Sequence, residues 1–295
     1  MTSMRAVEAV ESWPVPTVAA GWRRGTDGPT SIGMTDARLP LASITKPLVA
    51  LAVLVAIEEG SLSLNQPAGP PGSTVAHLLA HSSGLAPEDT ENATLSRLAT
   101  RRIYSNHGYE ILGQVLAEAT EFSIESYLQE AVLTPLGMTD TSLDGSPAHG
   151  ATSTVDDLLK LGAQLLRPTL LSAETMAQAT QPQFPDLMGV LPGFGRQTPN
   201  PWGYGFEIRG HKSPHWTGSE NSPETYGHFG RSGTFFWVDP KADVFCVALT
   251  DRTFGPWAAE AWPVFSNLVL AEFWPTPEEQ ATDQGSEGDS TTMSQ

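Results

Sequence analysis

The chain has 295 residues, 40% of them hydrophobic, which is enough for one large domain or two small ones with a sizeable core. A formal charge of −17 and an isoelectric point near 4.7 argue against nucleic acid or an anionic membrane surface as a partner. The single cysteine, Cys246, rules out an internal disulfide and gives no sign of an oxidising compartment.

The first fifteen residues carry glutamates and a proline where a signal peptide needs a basic start and an apolar core. The longest apolar run, Leu48 to Ile57, is too short to span a bilayer, so the expected location is the cytoplasm. Residues 15–22 and 30–34, separated by a Gly-rich turn, read as two antiparallel strands. Then comes Ser43-Ile44-Thr45-Lys46, opening a run from Pro47 to Gly60 that is apolar nearly all round. A first-turn proline and a terminal glycine frame it as a helix, and a helix without a polar face is a buried one.

Ser43 and Lys46, three residues apart, project from one face of that helix. A serine at the amino end of a buried helix has the helix dipole, free backbone N–H groups and a lysine that burial drives toward neutrality. Ser-x-x-Lys alone is a pattern that chance supplies in a chain of this length. Among Lys46, Lys160, Lys212 and Lys241, however, only Lys46 has a serine three residues earlier. It also lies in the least polar stretch, where an unpaired ammonium is costly.

Residues 61–72 read as an irregular loop, and Thr74 as the N-cap of a short helix over 75–81. His77 and His81 sit four apart on it, yet no third ligand accompanies them, so the reading is structural hydrogen bonding and no metal. A polar loop over 87–102 leads to Tyr104-Ser105-Asn106-His107-Gly108, with helices expected over 109–119 and 124–133. Further helices are expected over 154–166, where Asp156 and Asp157 occupy the first turn, and over 172–179. A Pro/Gly-rich stretch runs to Pro201, and strand patterns return at 204–209, 233–238 and 244–250. A closing helix over 257–273, rich in Trp and Leu, demands a sheet to pack on, and residues 276–295 have the composition of a disordered acidic tail.

Strands at both ends and helices between them imply an α+β domain over about 1–275, with a sheet part at about 1–60 and 168–275 and a helical part at about 61–167. Four stretches give the pattern a family likeness: Leu41-Ala42-Ser43-Ile44-Thr45-Lys46-Pro47, Ala80-His81-Ser82-Ser83-Gly84-Leu85, Tyr104-Ser105-Asn106-His107-Gly108-Tyr109, and Gly227-His228-Phe229-Gly230-Arg231-Ser232-Gly233-Thr234. In this order they resemble the serine β-lactamase and penicillin-binding-protein superfamily, nearest its class C β-lactamase-related group of esterases and D-amino-acid peptidases. In that group the second motif is Tyr-x-Asn and the third is His-x-Gly in place of Lys-Thr-Gly. Tyr104 is the only tyrosine with an asparagine two residues on, and His228 the only histidine with a glycine two residues on.

The resemblance implies a β-lactamase-like fold in which Ser43 is the nucleophile that becomes acylated. Lys46 would deprotonate Ser43 or hold Tyr104 as a phenolate, and Tyr104 would relay the proton to the leaving group. Asn106 would orient Lys46 and the acyl chain. His228, Phe229 and Gly230 would line the opposite wall, Gly230 on an edge strand where a side chain would block the substrate. The N–H groups of Ser43 and Arg231 would form the oxyanion hole. Phe229 departs from antibiotic-processing relatives, which place a hydroxyl residue there. The expectation is therefore a carboxylesterase-like serine hydrolase of small esters or amides, with no metal or organic cofactor. The alternatives are a D-amino-acid peptidase or carboxypeptidase, a β-lactamase, or a non-catalytic scaffold that keeps the fold.

Overall fold

A computed structural model describes residues 2–89 and 93–273, with side chains from residue 5 onward. The expected acidic tail at 276–295 lies outside the described residues. The chain opens with α1 (Thr2–Glu11), a helix not anticipated from the sequence. Ala6 and Val10, one turn apart, bury its inner face against the last helix of the chain, together with Trp13. β1 (Val18–Arg24) and β2 (Thr30–Gly33) form the expected antiparallel pair. After β3 (Leu39–Pro40), a single tight turn over Ala42–Ile44 leads into α2 (Thr45–Glu58). Every residue of α2 from Thr45 to Ala56 is buried, as its all-round apolar composition requires.

The middle of the chain is helical. α3 (Val75–Leu79) ends before the expected position because His81 takes a left-handed backbone, φ 52°. α4 (Asn106–Thr120) starts three residues before the expected 109. Ser105 caps it, its Oγ accepting the Gly108 N–H at 3.0 Å. α5 (Ile124–Leu128), a wider turn over Gln129–Leu133 and α6 (Thr134–Leu136) follow, then the short strands β4 (Ser142–Leu143) and β5 (Ala151–Ser153). α7 (Val155–Leu166) and α8 (Ala173–Ala179) are capped by Thr154 and Ser172.

The Pro/Gly-rich stretch holds a hairpin, β6 (Gly189–Leu191) and β7 (Gly195–Gln197), which its composition did not announce. β8 (Glu207–Ile208) is all that forms of the strand expected over 204–209. β9 (Tyr226–Gly230), β10 (Thr234–Asp239), β11 (Val244–Thr250) and α9 (Pro256–Phe273) complete the chain. β9 is a strand the sequence pattern missed, since two glycines and a histidine in five residues show no strand signature.

The main sheet runs β2-β1-β11-β10-β9-β8, with β1 against β11 joining the two chain ends. Along β11 the side chains alternate between two cores. Phe245, Val247 and Leu249 pack on the α2 side, and Val244, Cys246 and Ala248 on the α9 side. Both faces are buried, which is why the strand reads as continuous apolar sequence. β9 lies inside this order and not at the sheet edge. Because β8 pairs only with Tyr226 and Gly227, the outer side of His228 to Gly230 has no strand partner among the described residues. No described helix is long and apolar enough to cross a membrane.

Candidate active site

The tight turn before α2 is held from two sides. Leu41 N–H donates to Ala151 O of β5 at 2.9 Å, and Ala151 N–H donates to Thr45 Oγ1 at 3.0 Å. From the β9–β10 turn, Ser232 Oγ donates to Pro40 O at 2.7 Å and Thr234 Oγ1 to Leu41 O at 3.0 Å. Ala42 adopts a left-handed backbone, φ 47°, a conformation unfavourable for a residue with a Cβ and tolerated here because the surrounding bonds over-determine it. These contacts present Ser43 to a cavity of about 500 Å³.

Tyr104 OH donates to Ser43 Oγ at 2.7 Å, and Lys46 Nζ reaches the same oxygen at 3.4 Å. Lys46 also donates to Asn106 Oδ1 at 2.6 Å and to the Ala148 carbonyl at 2.9 Å. It is fully buried, and desolvation pushes its pKa from the usual 10.5 down to about 7, against the opposing pull of Glu88 and Glu110. Its ammonium lies over the face of the Tyr104 ring, 4.6 Å from the centroid, and not against the phenol oxygen. Burial raises the Tyr104 pKa, and the hydrogen bond to Ser43 only partly opposes this. The phenol is therefore protonated at neutral pH.

His228 on β9 faces the cavity from the other side. Its Nδ1 donates to the Phe229 carbonyl at 2.7 Å, which assigns the hydrogen to Nδ1 and leaves the buried Nε2 without a partner among the described residues. Desolvation, helped by Lys46, holds its pKa down at about 3, so the ring is neutral. Gly230 is needed for a different reason from the one expected. A Cβ there would meet the Leu41 carbonyl and Thr234 Oγ1, within the clamp that carries Ser43. Phe229 alternates to the α9 side, packing on Phe254 at 5.0 Å and Trp262 at 6.0 Å between ring centroids. Phe229 nevertheless lines the cavity, together with Phe254. Arg231 is exposed and lines the cavity next to this wall.

Of the eight residues singled out from the sequence, Ser43, Tyr104, Asn106, His228, Phe229 and Arg231 line one cavity, Lys46 lies beneath it bonded to Ser43 and Asn106, and Gly230 packs under the turn that carries Ser43. His77 and His81 work apart from each other. His77 Nδ1 accepts the Thr74 N–H at 3.3 Å, and His81 Nδ1 accepts the Ser105 N–H at 3.1 Å. The sequence reading missed the apolar lining of Leu191, Pro192, Trp202 and Phe254, which comes from the end of β6 and from loops without a chemical motif. It also missed Glu88, whose signal was its place three residues after the Ala80–Leu85 motif, and the buried Glu207.

The Beta-lactamase family profile matches residues 17–270. Among solved structures, a beta-lactamase from Mycobacterium bovis is 54% identical and superposes with a TM-score of 0.88 over 91% of this chain and 99% of its own. A mutant of the simvastatin synthase LovD from Aspergillus terreus is 17% identical, with a TM-score of 0.79 over 94% of this chain and 100% of its own. EstCE1, a hydrolase with promiscuous acyltransferase activity, is 17% identical, with a TM-score of 0.75 over 91% and 98% of the two chains. At such identities these last two show a shared fold alone. No curated protein matches the sequence.

Proposed function

The chain belongs to the beta-lactamase family of serine hydrolases, and from that premise we propose that it hydrolyses small uncharged esters through an acyl-enzyme on Ser43. The observation that carries this reading is a serine oxygen in contact with both a phenol and a buried amine whose pKa lies near neutrality. Neutral Lys46 takes the Ser43 proton as Oγ attacks the ester carbonyl. Tyr104, protonated and 2.7 Å from Oγ, gives its hydrogen to the departing alkoxide, and the Lys46 ammonium then returns a proton to the phenolate, so the Ser43 hydrogen ends on the leaving group. The raised Tyr104 pKa favours this route over a resting phenolate. Backbone N–H groups of Ser43 and Arg231 are the proposed oxyanion donors. Water then repeats the sequence on the acyl-enzyme.

The wall around His228 supports an ester over a β-lactam. A β-lactam carries a carboxylate beside its ring, and burying that group without donors costs about 1–3 kcal/mol. His228 turns its one hydrogen to the Phe229 carbonyl and presents a bare nitrogen, while Thr234 Oγ1 is committed to Leu41. Phe229, Phe254 and Leu191 offer only apolar surface, and the one guanidinium among the described lining residues, Arg231, is exposed and keeps its water. On one preparation, kcat/KM for p-nitrophenyl butyrate is expected to exceed that for a chromogenic cephalosporin and for D-amino-acid amides. Equal or better turnover of either competitor overturns the ester reading. A fluorophosphonate probe is expected to label Ser43 and to leave Ser43→Ala unlabelled. A folded wild-type protein that takes no label is a scaffold.

A further inference from the structure

Glu88 lies on the loop before α4, exposed at the rim of the cavity. Its Oε1 accepts a hydrogen bond from Asn106 Nδ2 at 2.7 Å, and Asn106 Oδ1 accepts from Lys46 Nζ at 2.6 Å. The two ends of an amide side chain are nearly the same shape, so partners decide which end faces the lysine. An ionised carboxylate only accepts. At Glu88 it selects the flip that turns the oxygen of Asn106 toward Lys46, the flip that favours an ammonium over a neutral amine. We propose that Glu88 is a positioning residue of this site, whose charge, transmitted in part through the oriented Asn106, holds the proton on Lys46 at rest and sets the pH at which the site becomes active.

The surroundings of Lys46 leave few other groups for this task. His81 after α3 and His228 on β9 face it, and burial keeps both neutral. Tyr104 and Tyr109 present ring faces to it and stay protonated. The charges that oppose its desolvation are Glu88 first and Glu110 of α4 second. Glu110, one turn on from Asn106 in α4, accepts from Ser146, and Asn106 Nδ2 donates to Glu88. Around Glu88 itself the cavity also holds Arg231 and His149, while neighbouring Asp89 lies 3.8 Å from His107.

The inference rests on Lys46 acting as a base, and pH profiles of kcat/KM separate the two. Wild type is expected to lose activity below an acid-side midpoint. Glu88→Gln keeps an acceptor for Asn106 and removes the charge, so its midpoint is expected to move to lower pH by about 0.5–1 unit, with a several-fold gain at pH values below the wild-type midpoint. Glu88→Asp, which keeps the charge, is expected to stay closer to wild type. Melting temperatures should match, because the side chain is exposed. A wild-type limb with an unmoved midpoint in Glu88→Gln overturns the role of Glu88 and leaves the base intact. A wild-type profile with no limb, or an active Lys46→Arg, overturns the base and this inference with it.

Discussion

Two buried lysines in this protein are treated in opposite ways. Lys212, in the loop after β8, has its ammonium in contact with the Glu207 carboxylate, and both side chains are sealed from solvent. His215 Nε2 at 3.1 Å and Trp216 Nε1 at 2.6 Å complete the carboxylate's partners, and Asn200 Oδ1 takes another hydrogen of the lysine at 3.1 Å. Burial and the nearby Arg102 charge both work against that ammonium, and the Glu207 carboxylate in contact with it is the one opposing charge among its described partners. Lys46 is buried as completely, but its bonded partners are an amide oxygen, a backbone carbonyl and a hydroxyl, with no carboxylate bonded to it among the described residues. A lysine in direct contact with a carboxylate forms a sealed pair that staples a loop. One bonded only to neutral acceptors stays poised between its two protonation states, which is what a base needs.

The contrast predicts that removing each lysine damages a different property. Lys46→Met is expected to lower kcat/KM about a thousandfold, since proton transfer to and from Ser43 is lost. Its unfolding free energy should stay within about 2 kcal/mol of wild type, because a buried charge that lacks a counter-ion contributes little to stability. Lys212→Met leaves Glu207 buried and uncompensated, so urea unfolding should show a loss of about 3–5 kcal/mol, and the folded fraction should keep most of its kcat. Replacing Glu207 with leucine in the same protein should recover part of that loss. If Lys46→Met unfolds and Lys212→Met loses only turnover, the comparison is the wrong way round.

A smaller effect sharpens the same point. With the Lys46 pKa at about 7, the amine is protonated below that pH and cannot accept from Ser43. Initial rates on p-nitrophenyl butyrate should therefore fall about tenfold per unit below the midpoint and level off above it. Tyr104 adds no second limb in the mildly alkaline range, because burial raises its pKa. A profile flat from pH 5 to 9 would remove Lys46 from the chemistry.

Glu207 and Lys212 show why half of this contrast was invisible beforehand. Lys212 sits in a polar stretch, Gly210-His211-Lys212-Ser213-Pro214-His215, that reads as surface loop. It becomes buried only because Trp216 packs against Phe229 and Phe235 and carries the loop inward. α1 escaped notice for a related reason: its apolar positions are few, and they matter only when Phe265 and neighbouring side chains of α9 are there to cover them. β9 is held by five paired positions on β10, not by the propensity of its own Gly-rich sequence.

What the amino-acid sequence determined by itself was periodic and local. It marked α2 as a buried helix with Ser43 and Lys46 on one face, assigned strands to both chain ends, and ordered the motifs around Tyr104 and His228. Apolar patterning and helical spacing act over a few residues, so they can be read without a fold. Tertiary structure alone decided the partners. The Ala148 carbonyl lies 102 residues from Lys46, Glu88 meets Asn106 across the start of α4, and β8 stops short enough to open the side of β9. Such contacts depend on where distant segments pack, and burial, which sets the protonation state of Lys46, exists only once they have packed.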